Sequence, residues 1–298
     1  MLSALLLTSL LAAEVAAETS LEACLASLAK EHKGKVALAV KNLETGESYY
    51  LNADEVMPTA SLIKVAVLID LYQQAQEGKL QLTDRVTLHA GDKVPGSGIL
   101  TEHFSEGAEF SLRDAARLMI AFSDNTATNL VLDRVGIRSV NDRMKQWGCS
   151  ETRINAKVYR GSTTSVDPPR TRRYGLGSTT AREMAGLLEE LQTSDRLRPV
   201  YKQAVLNHLR KNADKDKFKR LLPADVEVIH KDGSTSDTRT DAGLIHTPAG
   251  IVAVCVLTTN NKDRRWQSDN AGNLLCARVA KAVYDHFAAA KKSRTEPK

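Results

Sequence analysis

Three short strings of polar residues could together carry out nucleophilic catalysis, and they follow one another in a telling order. They are Ser61-Leu62-Ile63-Lys64, then Ser123-Asp124-Asn125, then Lys231-Asp232-Gly233. A serine hydroxyl is a poor nucleophile until a base takes its proton, and a lysine can be that base only when its amine is uncharged. Ser61 and Lys64 are three positions apart, so on a helix they share a face. The first string therefore predicts a serine nucleophile with a lysine base.

Order and spacing distinguish these strings from chance copies. Ser27-Leu28-Ala29-Lys30 repeats the first pattern and Ser268-Asp269-Asn270 repeats the second. The copy at Ser27 lies in a terminal amphipathic helix, where its lysine is interpreted as a solvated charge. The copy at Ser268 lies in a polar stretch before the last helix and is interpreted as a loop or cap. By contrast, Pro58 and a capping Thr59 precede Ser61, and a long apolar-periodic run follows it, which predicts a buried helix with Ser61 in its first turn.

The ordered triple resembles the S-x-x-K, S-D-N and K-T-G signature of serine β-lactamases and penicillin-binding proteins. Its gaps, 62 positions from the first serine to the second and 108 from there to the third string, resemble class A β-lactamases. The resemblance covers about Leu21 to Ala289. It implies a secreted serine hydrolase that opens a β-lactam or related amide through an acyl-Ser61 intermediate.

The resemblance also implies a role for each matching residue. The implied catalytic residues are Ser61, Lys64 and Ser123, and the implied substrate-binding residues are Asn125, Lys231, Gly233, Ser234 and Arg239. Lys64 serves as the base, and Ser123 relays a proton to the leaving nitrogen. Asn125 holds a substrate amide carbonyl, and Lys231 attracts the substrate carboxylate. The backbone N–H groups of Ser61 and Ser234 form the oxyanion hole.

Two further residues of the strings have roles that rest on residue type. Asp124 is expected to hold backbone and to stay outside the chemistry, since Ser, Asp and Asn cap helices well and a capping loop can also line a cleft. The small Gly233 is expected to let the substrate backbone approach.

The sequence departs from the class A pattern at two places. The first is Asp232, which stands where that family usually has a threonine. An anion beside a carboxylate site repels substrate unless its side chain points away or pairs with Lys231 or Arg239.

The second departure concerns the glutamate that activates the deacylating water in class A enzymes. Its position falls near Tyr159, within a stretch, Asn155–Gly161, that has no carboxylate. The following loop, up to Ser178, is rich in Arg and Pro, and its nearest acids are Glu151 and Asp167. We therefore expect deacylation to be slow, unless the loop folds inward and brings Asp167 to the site.

Three functions remain open at this stage. The leading interpretation is a class A β-lactamase-like hydrolase. The first alternative is a D-Ala-D-Ala peptidase-like cell-wall hydrolase, which uses the same three strings and needs no such glutamate. The second is a binding module that is acylated without turnover, or that merely holds a wall peptide.

Composition and charge argue against a nucleic-acid-binding function. The 298 residues carry a formal net charge of +5 and are 42% hydrophobic, which is ordinary globular composition. The basic run Arg210 to Arg220 lacks interleaved aromatic residues, so we interpret it as a solvated face and expect no nucleic-acid partner. We expect a small-molecule β-lactam or a peptidoglycan peptide as ligand, and a monomer.

The first residues and the cysteines bear on the compartment. Met1 to Ala17 has an apolar core and a small-residue cleavage site, which predicts a signal peptide and a secreted or periplasmic protein. Export would permit disulfides. The resemblance places Cys24 and Cys276 on adjacent terminal helices, so a bridge is one option, and four small buried thiols are the other. The histidines are scattered and no metal-ligand spacing occurs, so we expect no metal and no cofactor.

Periodicity predicts an α+β fold. The predicted helices are Leu21–His32, Ser61–Gln76, Leu112–Phe122, Thr126–Val135, Val140–Trp147, Thr180–Gln192 and Asn273–Ala289. The predicted strands are Val36–Asn42, Ser48–Leu51, Val226–His230, Arg239–His246 and Ile251–Thr259. Strands at both ends imply an antiparallel sheet flanked by N- and C-terminal helices, with a helical subdomain inserted. The expected division is a signal peptide at 1–17 and a catalytic domain at 18–298, whose α/β part is about 21–58 and 205–289 and whose helical part is about 59–204.

Overall fold

The computed structural model describes residues 20–295. The predicted signal peptide, Met1–Ala17, lies outside the described residues, so export stays a prediction. The fold is α+β, as the sequence predicts, with a five-stranded sheet that draws strands from both ends of the chain and helices inserted between them.

We number strands and helices in chain order. The strands are β1 (Lys35–Asn42), β2 (Ser48–Leu51), β3 (Met57–Pro58), β4 (Arg85–Thr87), β5 (Glu109–Ser111), β6 (Arg153–Ile154), β7 (Gly177–Thr179), β8 (Val228–Ser234), β9 (Arg239–Thr247) and β10 (Gly250–Thr259). The helices are α1 (Leu21–Glu31), α2 (Lys64–Gln76), α3 (Leu100–His103), α4 (Leu112–Ala121), α5 (Asn125–Val135), α6 (Ile137–Gln146), α7 (Gly161–Thr164), α8 (Pro168–Tyr174), α9 (Ala181–Thr193), α10 (Pro199–Arg210) and α11 (Ala271–Thr295). Short 3₁₀ turns cover Ala60–Ile63, Ala90–Asp92 and Phe218–Arg220.

The main sheet has the strand order β2-β1-β10-β9-β8, so β8 lies at one edge. Its described pairings are antiparallel, with Ala39 opposite Cys255 and Lys231 opposite Ala242. Two small sheets accompany it, β3-β7-β6 and β4-β5. The edge position of β8 matters because this strand carries the third polar string.

The sequence of β1 explains how the sheet is covered on both faces. Successive side chains of a strand point to opposite faces. Val36, Leu38 and Val40 pack in one hydrophobic cluster with residues of α1 and α11. Ala37 and Ala39 point the other way, into a cluster with α2 and α9. The sheet is therefore a layer between the terminal helices and the helical part.

Helix α2 forms the centre of the helical part. Each residue from Lys64 to Tyr72 is buried, including the polar Lys64 and Asp70. A helix that is apolar almost all round belongs in a core. Its first turn is thus fixed by packing, which matters for the lysine that opens it.

The structure corrects two sequence-based boundaries, removes one predicted helix cap and adds one helix. The predicted helix from Ser61 is a 3₁₀ turn at Ala60–Ile63 followed by α2. Thr59 does not cap it, because its hydroxyl donates to the carbonyl of Ala60 at 3.1 Å. The strand predicted to stop at His230 continues to Ser234, so Lys231 lies inside β8 and not at its end. Helix α10 was not predicted.

The basic run Arg210 to Arg220 is only partly the solvated face that the sequence predicts. Lys217 is 2% exposed and Phe218 is fully buried. The charged Lys217 side chain is buried because it pairs with the carboxylates of Asp214 and Asp232.

The cysteines are not cross-linked in the described part of the chain. Cys24 is exposed, whereas Cys149, Cys255 and Cys276 are buried, and all four are free thiols. The optional bridge between Cys24 and Cys276 is therefore absent, and small apolar packing is the role of the other three. Within residues 20–295, no helix combines the length and apolar character needed to cross a membrane.

A buried histidine predicts acid sensitivity of the fold. His208 on α10 contacts the Tyr72 hydroxyl of α2 through Nε2 at 2.7 Å. Burial lowers the pKa of His208 from its usual 6.5 to about 4, and the charges of Arg117 and Arg113 act in the same direction. Between pH 6.5 and about pH 4, His208 therefore binds a proton in the unfolded chain but not in the folded chain.

The stabilising contribution of neutral His208 should be complete above pH 6.5 and lost as the pH falls toward 4. Over that interval the free energy of unfolding of the wild type should fall by roughly 3 kcal/mol more than that of His208→Gln. Urea denaturation at several pH values measures the difference. The exposed His103→Gln is the control and should follow the wild type; equal slopes for all three proteins would contradict the prediction.

Candidate active site

The Ser61 turn is held in an unusual backbone conformation. Ala60, directly before it, has φ of +47°, a left-handed conformation that costs a non-glycine residue of order 1–3 kcal/mol. The turn is fixed from both sides: the Thr59 amide donates to the carbonyl of Gly177 at 3.0 Å, and the Thr240 hydroxyl donates to the carbonyl of Thr59 at 2.9 Å. Ser61 is partly exposed and lines a cleft. Among the described residues its hydroxyl has no hydrogen-bond partner in this state, so it is available to a ligand.

Lys64 is fully buried one turn further on, at the start of α2. Its Nζ donates to the carbonyl of Ser123 at 2.6 Å and to the Ser123 hydroxyl at 3.2 Å, and to Oδ1 of Asn125 at 3.1 Å. Burial holds the pKa of Lys64 well below its usual value, and the charge of Lys231 lowers it further. Lys64 is therefore suited to be an uncharged amine that accepts a proton. In that form its two hydrogens serve the Ser123 carbonyl and Oδ1 of Asn125, and its lone pair is free to accept from the Ser123 hydroxyl.

The second string is both a helix cap and a cleft wall. Oδ1 of Asp124 accepts the Ala127 amide at 2.8 Å and caps α5, while Oδ2 accepts the amides of Ile99 and Leu100 at 2.7 and 2.9 Å. As the sequence predicts, Asp124 holds backbone. Its neighbour Ser123 has φ of +52°, a second strained residue, and faces Lys64.

Asn125 joins the same network from the first turn of α5. Its carbonyl oxygen accepts from Lys64, and its Nδ2 donates to the carbonyl of Pro95 at 3.0 Å. An amide nitrogen has two hydrogens, so one donor is left for a ligand in the cleft.

The structure gives a second reason for glycine at residue 233, and the predicted approach of a substrate backbone stays a prediction. A Cβ at this position would lie 2.5 Å from the carbonyl oxygen of Thr59 and 2.9 Å from the amide of Leu62. The missing side chain lets β8 pack directly against the backbone of the Ser61 turn. Gly233 thus sets the separation between the turn that carries the nucleophile and the edge strand.

The third string presents an ion-pair cluster. Nζ of Lys231, fully buried, donates to Oδ1 of Asp232 at 2.7 Å and to its backbone carbonyl at 2.8 Å. Oδ2 of Asp232 lies 3.1 Å from Lys217, which in turn lies 3.0 Å from Asp214. Burial raises the pKa of Asp232, but Lys231 and Lys217 outweigh burial and hold the pKa well below its usual value. Asp232, which departs from the family pattern, is therefore an anion paired with two cations, Lys231 and Lys217.

Ser234 and Arg239 complete the predicted set. Ser234 ends β8 and lines the cleft with Ser61. The Arg239 side chain donates to the carbonyl oxygens of Thr235, Thr238 and Arg265, the last two at 2.9 and 2.8 Å. The structure places Arg239 as a support of the cleft wall. A direct substrate contact by Arg239 stays a prediction.

The cleft has a volume of about 660 Å³. Ser61, Asn125 and Ser234 line it together with the exposed aromatic residues Tyr159 and Trp266. An adjoining pocket of about 210 Å³ shares Ser61 and Ser234 with the cleft. Its lining includes Asp232 and adds two acids that sequence reasoning missed, Asp214 and Asp216.

The two acids considered for deacylation have other partners. The Asp167 side chain accepts the Arg170 amide at 3.1 Å and caps α8, and the Glu151 carboxylate pairs with the Arg170 guanidinium. Near the position where the resemblance puts the class A glutamate stands Tyr159, 66% exposed and with φ of +55°. The stretch carrying it is anchored to α5 by Asn129, whose side-chain amide exchanges two hydrogen bonds with the backbone of residue 158. The loop therefore presents an aromatic side chain, and not a carboxylate, to the cleft.

Other features of the described residues do not form a comparable site. A groove of about 1240 Å³ lies between α2, α4 and α10, and its lining includes no serine or cysteine. The chance copy Ser27 lies on α1, where its hydroxyl donates to Glu31. Residues 20–295 contain no group of three or more His, Cys, Asp or Glu side chains placed to hold a metal ion.

Comparison with known proteins gives consistent matches. The chain matches the model of the beta-lactamase enzyme family over residues 20–287. A beta-lactamase of Bacillus licheniformis is 26% identical over 259 residues, which cover 85% of this chain and 81% of the relative. An ancestral class A beta-lactamase is 26% identical with a TM-score of 0.79, over 90% of this chain and 100% of that one. A point variant of PBP-A, solved as an acyl-enzyme complex with penicillin G, is 25% identical with a TM-score of 0.78, over 90% of this chain and 96% of that one.

The contact at Gly233 can be tested by stability alone. Gly233→Ala should lower the free energy of unfolding by about 1–3 kcal/mol, because the new methyl group forces β8 and the Ser61 turn apart. Gly186→Ala is the matched control: a Cβ there meets nothing within 4 Å, and α9 should become slightly more stable. Urea denaturation of both variants measures this, and a Gly233→Ala protein as stable as the wild type would show that the two backbones can separate without cost.

Proposed function

The chain belongs to the beta-lactamase enzyme family, and from this premise we propose that it opens β-lactams through an acyl-Ser61 intermediate that it releases slowly. One observation carries the proposal: a buried lysine of lowered pKa, Lys64, contacts the Ser123 hydroxyl next to the strained turn that carries Ser61.

Acylation needs one proton to travel from the nucleophile to the leaving group. Oγ of Ser61 attacks the lactam carbonyl carbon while its proton passes to the uncharged amine of Lys64. The lactam C–N bond then breaks. Ser123 gives its hydroxyl proton to the leaving nitrogen and regains one from Lys64, whose Nζ lies 3.2 Å away. The products of this step are an ester on Ser61 and a free amine, with Lys64 uncharged again.

Two groups of donors support the reacting amide. We assign the developing oxyanion to the backbone N–H groups of Ser61 and Ser234, because both residues line the cleft and meet where β8 packs on the turn. We assign the side-chain carbonyl of the substrate to the remaining N–H of Asn125. The acyl-enzyme that the PBP-A variant forms with penicillin G supports this mode of attack in a related fold.

Release of the acyl group needs a second base. Water must add to the ester carbonyl and lose a proton, which yields a carboxylic acid product and restores the Ser61 hydroxyl. The stretch that carries this base in class A enzymes offers Tyr159 here, and Asp167 is used as a helix cap. This favours accumulation of the acyl-enzyme over rapid turnover.

The covalent step has a direct test. Penicillin G should add its mass once per chain, and Ser61→Ala should abolish the adduct. Intact mass spectrometry detects the adduct, and peptide mapping places it. Ser27→Ala, which removes the chance copy, should be labelled like the wild type. An adduct that survives Ser61→Ala, or none on folded wild-type protein, would remove the assignment.

Slow release predicts biphasic kinetics. A chromogenic β-lactam should give a burst of about one equivalent and then a phase slower by the 10²–10⁴-fold that a general base typically contributes. Stopped-flow absorbance records both phases. Asp167→Asn should leave both unchanged, because asparagine also caps helices. Fast linear turnover that vanishes in Asp167→Asn would instead identify Asp167 as the base.

A further inference from the structure

The lysine assigned to substrate binding already has a carboxylate partner in this protein. Nζ of Lys231 contacts Asp232 twice, at 2.7 Å through the side chain and at 2.8 Å through the backbone carbonyl. Lys231 has no exposed surface. Its charge is therefore satisfied before any substrate arrives.

The partner is itself firmly held. Asp232 accepts from Lys217 at 3.1 Å and from Nδ2 of Asn212 at 3.2 Å. Lys217 is paired in turn with Asp214 at 3.0 Å. Two lysines and two aspartates balance each other. An incoming carboxylate that pairs with Lys231 must thus displace Asp232 from this lysine and leave the buried aspartate with one cation fewer, which is costly.

The cluster lies beside the reacting groups. Asp232 lines the adjoining pocket together with Ser61, Ser123 and Ser234. Asp216 lines the same pocket and has no cationic partner among the described residues, while the Arg239 guanidinium is engaged by backbone carbonyls. The three aspartates around this pocket, Asp214, Asp216 and Asp232, balance the three cations Lys217, Lys231 and Arg239. An entering carboxylate therefore meets no surplus of positive charge.

We infer that Asp232 is a specificity-determining residue that occupies Lys231 as an internal carboxylate, so that a carboxylate beside the scissile bond gives a substrate no advantage and uncharged amides and lactams react at least as readily. The inference rests on the proposed acylation of Ser61 and names its substrate class. It removes the carboxylate preference that Lys231 would otherwise give.

The test compares two acylating agents that differ by one charge, penicillin G and its methyl ester. The second-order rate constant of Ser61 acylation is measured for each by mass spectrometry on the full chain. The wild type should react with the ester at least as fast as with the acid. This comparison needs no variant, so it does not depend on the folding of a mutant.

Asp232→Asn tests whether Asp232 causes the low relative rate with the acid. It keeps the shape of the side chain but frees the charge of Lys231. The acid-to-ester ratio of rate constants should rise by about 10- to 100-fold, the range of one charge-assisted hydrogen bond. Asp225→Asn is the matched control, because it removes the same charge from an exposed residue that has no ion pair among those described. It should keep the wild-type ratio.

The possible outcomes distinguish a failure of the inference on Asp232 from a failure of the proposed acylation of Ser61. A wild type that prefers the acid by tenfold or more overturns this inference and leaves the proposed acylation standing. An unchanged ratio in folded Asp232→Asn also overturns it, since a merely structural Asp232 would alter both rates together. No adduct on Ser61 from either compound, in any of the proteins, overturns the proposed function and the inference with it.

Discussion

The burial of one amine, that of Lys64, is the constraint on which the site depends. An ammonium group inside a core is unstable unless it loses its proton or finds strong acceptors. Here the packing of α2 supplies the desolvation, and the carbonyl of Ser123 and the side chain of Asn125 supply the acceptors. The loop that brings them must therefore take a fixed shape, which Asp124 maintains through three backbone amides. Core packing and chemistry are two results of the same arrangement.

The edge strand adds a second constraint. β8 approaches the Ser61 turn so closely that only a glycine fits at residue 233. The same approach brings Lys231 within electrostatic range of Lys64, whose pKa it lowers. Two buried lysines in one site require anions nearby, and the Asp232–Lys217–Asp214 cluster supplies them.

The fold and the grouping of the three strings could be predicted from the sequence. The apolar period of α2 and the apolar run of β1 each lie within a short window, and the three strings are recognised by their order and spacing along the chain. The cluster around Asp232 was missed because its members come from separate segments, and Lys217 sits in a basic run typical of solvated surface. Only the fold shows that this lysine is buried. The reason for Gly233 was missed for the same cause, since Thr59 is distant in sequence.

Three residues other than glycine and asparagine have positive φ in the described part of the chain: Ala60, Ser123 and Tyr159. All three line the cleft or its adjoining pocket. Their conformations persist only because the surrounding fold imposes them, so the site draws on the stability of the whole domain. The evolutionary consequence is that changes far from the cleft which stabilise the fold enlarge the range of cleft substitutions it can tolerate, and destabilising ones narrow that range. Adaptation of this site to a new substrate is thus limited by the stability reserve of the sheet and of α2 as much as by the residues that touch the substrate.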